Sequence, residues 1–186
     1  DVGFLARADI AQAGGQHRVS SEAYRETIAA TPRERLDLFL AAANRLGAPV
    51  GNVEKDFWVC WTLNALYHRL PKSGPRLLFK GGTSLSKAYG LIRRFSEDID
   101  VSIDRGFLGY GGVNEPEAGA SNKEKRRRVE GLMAACQQKI ADELMPALRG
   151  AIKGKISRAD KWSLLPDESD PDKQTLQFAY PSSLPA

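Results

Sequence analysis

Two short segments decide the fold: residues 77–84, which read LLFKGGTS, and residues 98–104, which read DIDVSID. In the first segment, three apolar residues stand between a Gly-Pro turn and a glycine pair, which indicates a short buried strand. A helix is predicted to begin after the glycine pair, near Ser84. In the second segment apolar and polar residues alternate, which is typical of a strand with one polar face. The expected order along the chain is therefore a strand, the glycine turn, a short helix and a second strand.

The second strand carries two carboxylates, Asp98 and Asp100. Residues two apart on a strand share a face and lie roughly 6.5 to 7 Å apart along the backbone, so both side chains can reach one hard cation. Mg²⁺ is typically held by one or two carboxylates together with substrate phosphates. We therefore predict that Asp98 and Asp100 bind Mg²⁺ or Mn²⁺ and form the catalytic centre.

The glycine turn supplies a matching phosphate site. Gly81 and Gly82 allow a ligand to approach the backbone closely, and amides at the start of the following helix can donate to phosphate oxygens. Thr83 and Ser84 add hydroxyl donors, and Lys80 lies beside the turn, where an ammonium group can reach a triphosphate. We predict that these five residues bind a nucleoside triphosphate.

The order of these motifs resembles that of the AbiEii/AbiGii toxin family of nucleotidyltransferases, which includes the MenT toxins. The resemblance rests on residues 79–87, FKGGTSLSK, on residues 94–100, RFSEDID, and on the upstream residues 54–58, EKDFW. It implies a polymerase-β-type nucleotidyltransferase fold that uses Mg²⁺ and a nucleoside triphosphate. Such proteins usually act as the toxin of a toxin–antitoxin or abortive-infection system, with a cognate antitoxin protein. For some relatives the acceptor is the 3′ end of tRNA.

Carried over to this sequence, the resemblance places the metal carboxylates on Asp98 and Asp100. It places the glycine-and-hydroxyl motif on Gly82, Thr83 and Ser84, although the spacing to Asp98 also leaves the glycine pair open as the equivalent. A third carboxylate is implied on a strand that follows residues 175–180. We therefore expect the core to be incomplete at its C-terminus and these 186 residues to transfer nucleotide poorly.

The overall pattern predicts an α+β protein, with an N-terminal helical segment at residues 1–72 and a nucleotidyltransferase core at residues 73–186. Thr31, Pro32 and Glu34 form a capping-box signature, and Gly47 marks the end of that helix. Further helices are expected over residues 52–70 and 122–148, and strands over residues 152–156 and 175–180. Trp58 and Trp61 are expected in the core.

Composition limits the class of protein and the side chains that are available for catalysis. The chain is 42% hydrophobic and 27% charged, and no apolar run reaches the roughly 20 residues that span a bilayer. We therefore expect a cytoplasmic protein without a membrane partner. Two cysteines and two histidines, each in separate segments, are poorly suited to zinc or histidine catalysis, so carboxylates must carry the chemistry.

Five cations lie within six residues: Lys123, Lys125, Arg126, Arg127 and Arg128. Such a run fits a polyanionic partner, and we expect it to bind RNA through phosphates. A solvated helix face is the alternative reading of the same run.

Three functions remain open at this point. The first is metal-dependent nucleotide transfer to an acceptor such as tRNA. The second is a catalytically incomplete module that binds a nucleotide or a partner without turnover. The third is a transferase that uses a nucleotide sugar, because paired aspartates also serve that chemistry.

Overall fold

The computed structural model describes residues 21–71, 74, 76–82, 84, 98–157 and 160–185. Within these ranges the regular elements, in chain order, are α1 (Ser21–Ala29), α2 (Pro32–Leu46), α3 (Val50–His68), β1 (Leu77–Lys80), β2 (Asp100–Ile103), α4 (Asn122–Lys139), a π-helical segment (Ile140–Leu144), α5 (Met145–Lys153), β3 (Ser163–Pro166) and β4 (Leu176–Ala179). The strands form two antiparallel pairs, β1 with β2 and β3 with β4. The predicted α+β class is confirmed.

Helix α2 begins and ends as its sequence predicts. The Thr31 hydroxyl oxygen accepts from the Glu34 N–H, and the Glu34 carboxylate accepts from the Thr31 N–H at 2.8 Å. The Thr31 N–H and hydroxyl both donate to the Glu34 carboxylate and lower its pKa, with the backbone bond as the largest cause. Gly47 ends the helix in the left-handed conformation, with φ of 61°. The capping box therefore fixes this helix locally, before any tertiary contact is made.

Helix α3 is the centre of the core. Trp58 and Trp61 are almost fully buried, as predicted, and their rings meet edge to face. Tyr180 stacks on Trp58 with ring centroids 5.6 Å apart, and Phe178 stacks on Trp61 at 6.0 Å. The final strand of the chain is thus held against the middle of an N-terminal helix by aromatic packing.

The long helix predicted over residues 122–148 is confirmed as a continuous helical run, and it extends to Lys153 through the π-helical segment. The strand predicted over residues 152–156 is wrong. Ile152 lies in α5 and is fully buried, because it continues an apolar stripe at four-residue steps with Leu144 and Leu148. The strand predicted over residues 175–180 is confirmed as β4, and its partner β3 was not predicted.

One hydrophobic cluster joins residues from both halves of the chain, including Phe57 and Trp61 from α3, Leu148 from α5 and Leu164 from β3. The division at residue 72 stays a prediction. No helix among the described residues has both the length and the apolar character needed to cross a bilayer.

Candidate active site

The two faces of the β1–β2 pair differ in character. In the observed register Lys80 lies opposite Asp100 and Leu78 lies opposite Ser102, so these four side chains share one face. The other face carries Leu77 and its partner Ile103, which pack against the hydrophobic core. Lys80 and Asp100 are exposed. The strand pair therefore has an outer face that carries Lys80 and Asp100 and an inner face that packs on the core.

The glycine turn meets that face at Asp100. Gly81 follows β1 directly and has φ of 75°, in the left-handed region where a side chain is strained. A Cβ placed on Gly81 would collide with the Asp100 carboxylate and lie 2.8 Å from its Cγ. Only glycine leaves room for this approach, so the turn and the carboxylate predicted from separate motifs are adjacent in space.

The start of the predicted helix is visible at the turn. Gly82 and Ser84 lie in a helical turn that follows Gly81, while Thr83 and residues 85–97, with the rest of the predicted helix, lie outside the described residues. The Ser84 side chain is only 5% exposed, and its hydroxyl donates to the Gly81 carbonyl oxygen at 2.8 Å. In this state Ser84 holds the turn closed, whereas the sequence had placed its hydroxyl on a phosphate. Whether it also reaches a nucleotide stays a prediction.

Asp98 is exposed and stands two residues before Asp100, in the segment that leads into β2. Its predicted place on the strand is wrong, because β2 begins at Asp100, where pairing with β1 ends at Lys80. Two exposed carboxylates two residues apart suit a hard divalent cation that keeps part of its shell for water and phosphate oxygens. No group of three or more histidine, cysteine or acidic residues with metal-binding geometry occurs among the described residues. The donor set fits Mg²⁺ or Mn²⁺ with Asp98 and Asp100 as the protein ligands, and a nucleotide would have to supply the rest.

Acidic residues further along the chain have other roles. Asp104 accepts from the Phe107 N–H at 2.9 Å and closes the turn after β2, while Asp160 pairs with Arg35 in the core. Asp167 and Asp170 lie in the β3–β4 turn, and hydrogen bonds lower the pKa of both. The largest cause is the Ser169 side chain for Asp167 and the Thr175 side chain for Asp170, with backbone N–H groups adding to the effect. Among the described acidic residues, Asp100 is the one whose carboxylate is shown against the glycine turn.

The basic run lies in the first turns of α4, and its five members are not equivalent. The Arg128 guanidinium donates to the carbonyl oxygens of Val113 and Glu115 and pairs with Glu124 at 2.7 Å. Its hydrogen bond is the main cause of the lowered pKa of Glu124. Arg128 therefore anchors the loop before α4. The exposed members of the run are Lys123, Lys125, Arg126 and Arg127.

A glycine turn in contact with a carboxylate, with a second exposed carboxylate two residues away, is compatible with enzymes that transfer phosphate-containing groups. The model of the family described as "Nucleotidyl transferase AbiEii toxin, Type IV TA system" matches residues 64–185, about two thirds of the chain. The chain belongs to this family of nucleotidyltransferase toxins. The matched region contains both strand pairs, the glycine turn and α4. No curated protein and no solved structure shows a significant match to the chain.

Proposed function

We propose that this protein transfers a nucleotide from a nucleoside triphosphate to an RNA acceptor, the 3′ end of tRNA being the first candidate, and that Mg²⁺ or Mn²⁺ is required. As a toxin in a toxin–antitoxin system it would be restrained by a cognate antitoxin and act in the cytoplasm, where both substrates occur. The observation that carries the proposal is the contact of the Asp100 carboxylate with Gly81, because it brings the acidic and glycine motifs to one place.

In the proposed reaction the acceptor hydroxyl oxygen forms a bond to the α-phosphorus. The bond between the α-phosphorus and the bridging oxygen to the β-phosphate breaks, pyrophosphate leaves, and the hydroxyl proton passes to solvent or a base. The divalent cation, when bound, stabilises the charge on the phosphate oxygens and favours deprotonation of the hydroxyl. The chain itself contributes positioning: Asp98 and Asp100 hold the cation, and the glycine turn receives the phosphates.

Lys80 has a place in this scheme because it lies directly across from Asp100 on the exposed face. An ammonium group beside the metal carboxylates balances part of the negative charge that a triphosphate brings to the site. Gly81 and Gly82 follow Lys80 directly in the chain, at the end of the same strand. Lys80, Gly81, Gly82, Thr83 and Ser84 remain the proposed nucleotide-binding residues.

A second function has its own support. Among the described residues no third acidic side chain joins Asp98 and Asp100, and two-metal transferases use a further group to deprotonate the acceptor. The same face would then bind a nucleotide without turnover. The two functions predict the same nucleotide affinity and differ in product formation.

The test uses the wild-type chain and three variants: Asp98→Asn, Asp100→Asn and, as a matched control, Asp142→Asn. Asp142 is an exposed acid in the π-helical segment, remote in sequence from the site. Each is incubated with radiolabelled nucleoside triphosphate, tRNA and Mg²⁺, and calorimetry follows metal binding in the presence of nucleotide. We expect the wild type and Asp142→Asn to bind metal and to label RNA slowly, in keeping with the poor transfer expected of these 186 residues. Both site variants should lose at least 100-fold of that transfer, on the order expected for loss of a catalytic group.

Metal and nucleotide binding without labelled product would favour the second function. Unchanged metal affinity in both Asp98→Asn and Asp100→Asn would show that the metal site lies elsewhere.

A further inference from the structure

The outer face of the β1–β2 pair carries one residue that the proposed chemistry has not used. Leu78 is 55% exposed, and it lies on the same face as Lys80 and Asp100, with Ser102 opposite it. Its neighbours Leu77 and Phe79 point to the other face and are partly buried. The alternation of the strand thus turns a large apolar side chain outward beside the charged pair.

The position of Leu78 relative to the carboxylates is set by the register. The row that contains Leu78 and Ser102 lies one strand repeat, roughly 7 Å, from the row that contains Lys80 and Asp100. That separation is comparable with the distance from the α-phosphate of a nucleotide to its base. A nucleotide whose phosphates lie at the glycine turn can therefore extend its nucleoside along the face towards Leu78.

We propose that Leu78 is the apolar surface on which the ribose and base of the nucleoside triphosphate rest. This inference depends on the proposed function and adds a nucleoside-contacting residue to it. The faces of all four bases are apolar, and an aliphatic side chain offers dispersion and desolvation without hydrogen bonds. Leu78 consequently contributes to affinity for every nucleoside triphosphate and adds little preference among bases.

A matched control exists in the second strand pair. Leu165 in β3 is 54% exposed, so its truncation removes the same surface from a comparable strand outside the β1–β2 face. The variants to compare are Leu78→Ala, Leu78→Met, which keeps an apolar side chain, and Leu165→Ala. Because both leucines are exposed, all three variants are expected to fold, and thermal unfolding verifies this.

Calorimetry with Mg²⁺ then measures binding of each of the four nucleoside triphosphates and of inorganic tripolyphosphate. We expect Leu78→Ala to weaken binding of all four nucleotides about tenfold, as partial burial of the lost methine and methyl groups implies, and to leave tripolyphosphate binding unchanged. Leu78→Met and Leu165→Ala should bind like the wild type. In the transfer assay Leu78→Ala should raise KM for the nucleotide and leave KM for the RNA acceptor unchanged.

Each other outcome overturns the inference in a recognisable way. Equal binding by Leu78→Ala and Leu165→Ala would make Leu78 an ordinary surface leucine. A raised KM for RNA alone would place the acceptor on Leu78. Equal weakening of tripolyphosphate would mean that the substitution disturbs the phosphate site. If the wild type binds no nucleotide at all while remaining folded, the proposed function fails and this inference fails with it.

Discussion

Gly81 shows how much of the candidate site depends on a single residue. It combines a positive φ, which favours glycine, with the close approach of the Asp100 side chain, which requires it. The two demands are separable because Gly109 has a similar φ of 85° and a Cβ there would meet no atom within 4 Å. A comparison of these two glycines isolates the steric effect on the carboxylate from the general cost of backbone strain.

We predict that Gly81→Ala and Gly109→Ala each lower the free energy of unfolding by about 1 to 2 kcal/mol, the cost of the left-handed conformation for alanine. Gly81→Ala should in addition displace the Asp100 carboxylate and weaken Mg²⁺ binding in the presence of nucleotide at least tenfold. Urea unfolding and calorimetry provide the two measurements. Equal metal affinity in the two variants would mean that the contact with Gly81 does not position Asp100.

At the same scale, local sequence patterns predict which residues belong together more readily than they predict the partners of side chains. Asp98 and Asp100 were singled out because strand alternation and carboxylate chemistry are local properties, and their role as metal ligands stays a prediction. The carbonyl oxygens that accept from Arg128 lie 13 and 15 residues away in the loop before α4, and no local sequence pattern predicts such a contact. Ser84 was assigned to phosphate binding, but a hydroxyl at the start of a helix can donate either to a ligand or to a nearby backbone carbonyl. Which of the two it does depends on tertiary geometry.

Among the elements, α4 has the most unusual surface. None of its 18 residues is buried, although the π-helical segment that follows contributes Ile140 and Leu144 to the core. The basic first turns of α4 are therefore held by the loop through Arg128 and otherwise exposed. Exposed cations on a fixed helix are suited to phosphate contacts, whereas Arg128 is already occupied by internal acceptors.

For this helix we predict that the triple variant Lys123→Gln, Arg126→Gln and Arg127→Gln flattens the dependence of RNA affinity on salt by about one log–log unit for each phosphate interaction removed. The control removes three exposed cations elsewhere by Arg45→Gln, Lys153→Gln and Lys155→Gln, which gives the same net charge. Arg128→Gln should leave the slope unchanged and lower thermal stability. Filter binding over a salt series is the measurement, and identical slopes for the two triple variants would indicate a solvated helix face.

The errors at the level of elements have a common cause. Short apolar runs are ambiguous, and residues 152–156 were assigned to a strand because the preceding helix was expected to end near Gly150. The four-residue repeat from Leu144 to Ile152 is the stronger signal, since it continues an established helix. Strand β3 was missed because it has four residues and ends in Pro166, and its stability comes from pairing with β4.

At the scale of the whole molecule, Arg35 connects segments that are distant in sequence. Its side chain is 1% exposed, and it donates to the carbonyl oxygens of Ile28 and Ala30, to the Asp160 carboxylate and to the Ser183 hydroxyl. Nearby, Glu54 is buried and accepts from the Ser183 N–H at 2.6 Å and from the Ser182 hydroxyl. The N-terminal helices and the C-terminal residues are thus joined by buried polar contacts as well as by aromatic packing.

These contacts make the stability of the two halves interdependent, which Asp160→Asn tests. The substitution leaves the Arg35 guanidinium buried without its carboxylate, and we predict a loss of about 3 to 5 kcal/mol in the free energy of unfolding. Asp172→Asn, at an exposed acid in the β3–β4 turn, should change it by less than about 0.5 kcal/mol. Urea unfolding is followed by tryptophan fluorescence and by far-ultraviolet circular dichroism. Because the core is shared, both signals should report one transition, and its midpoint should shift to a lower urea concentration. A separate transition of the helices that leaves the β3–β4 pair folded would instead support residues 1–72 as an independent unit.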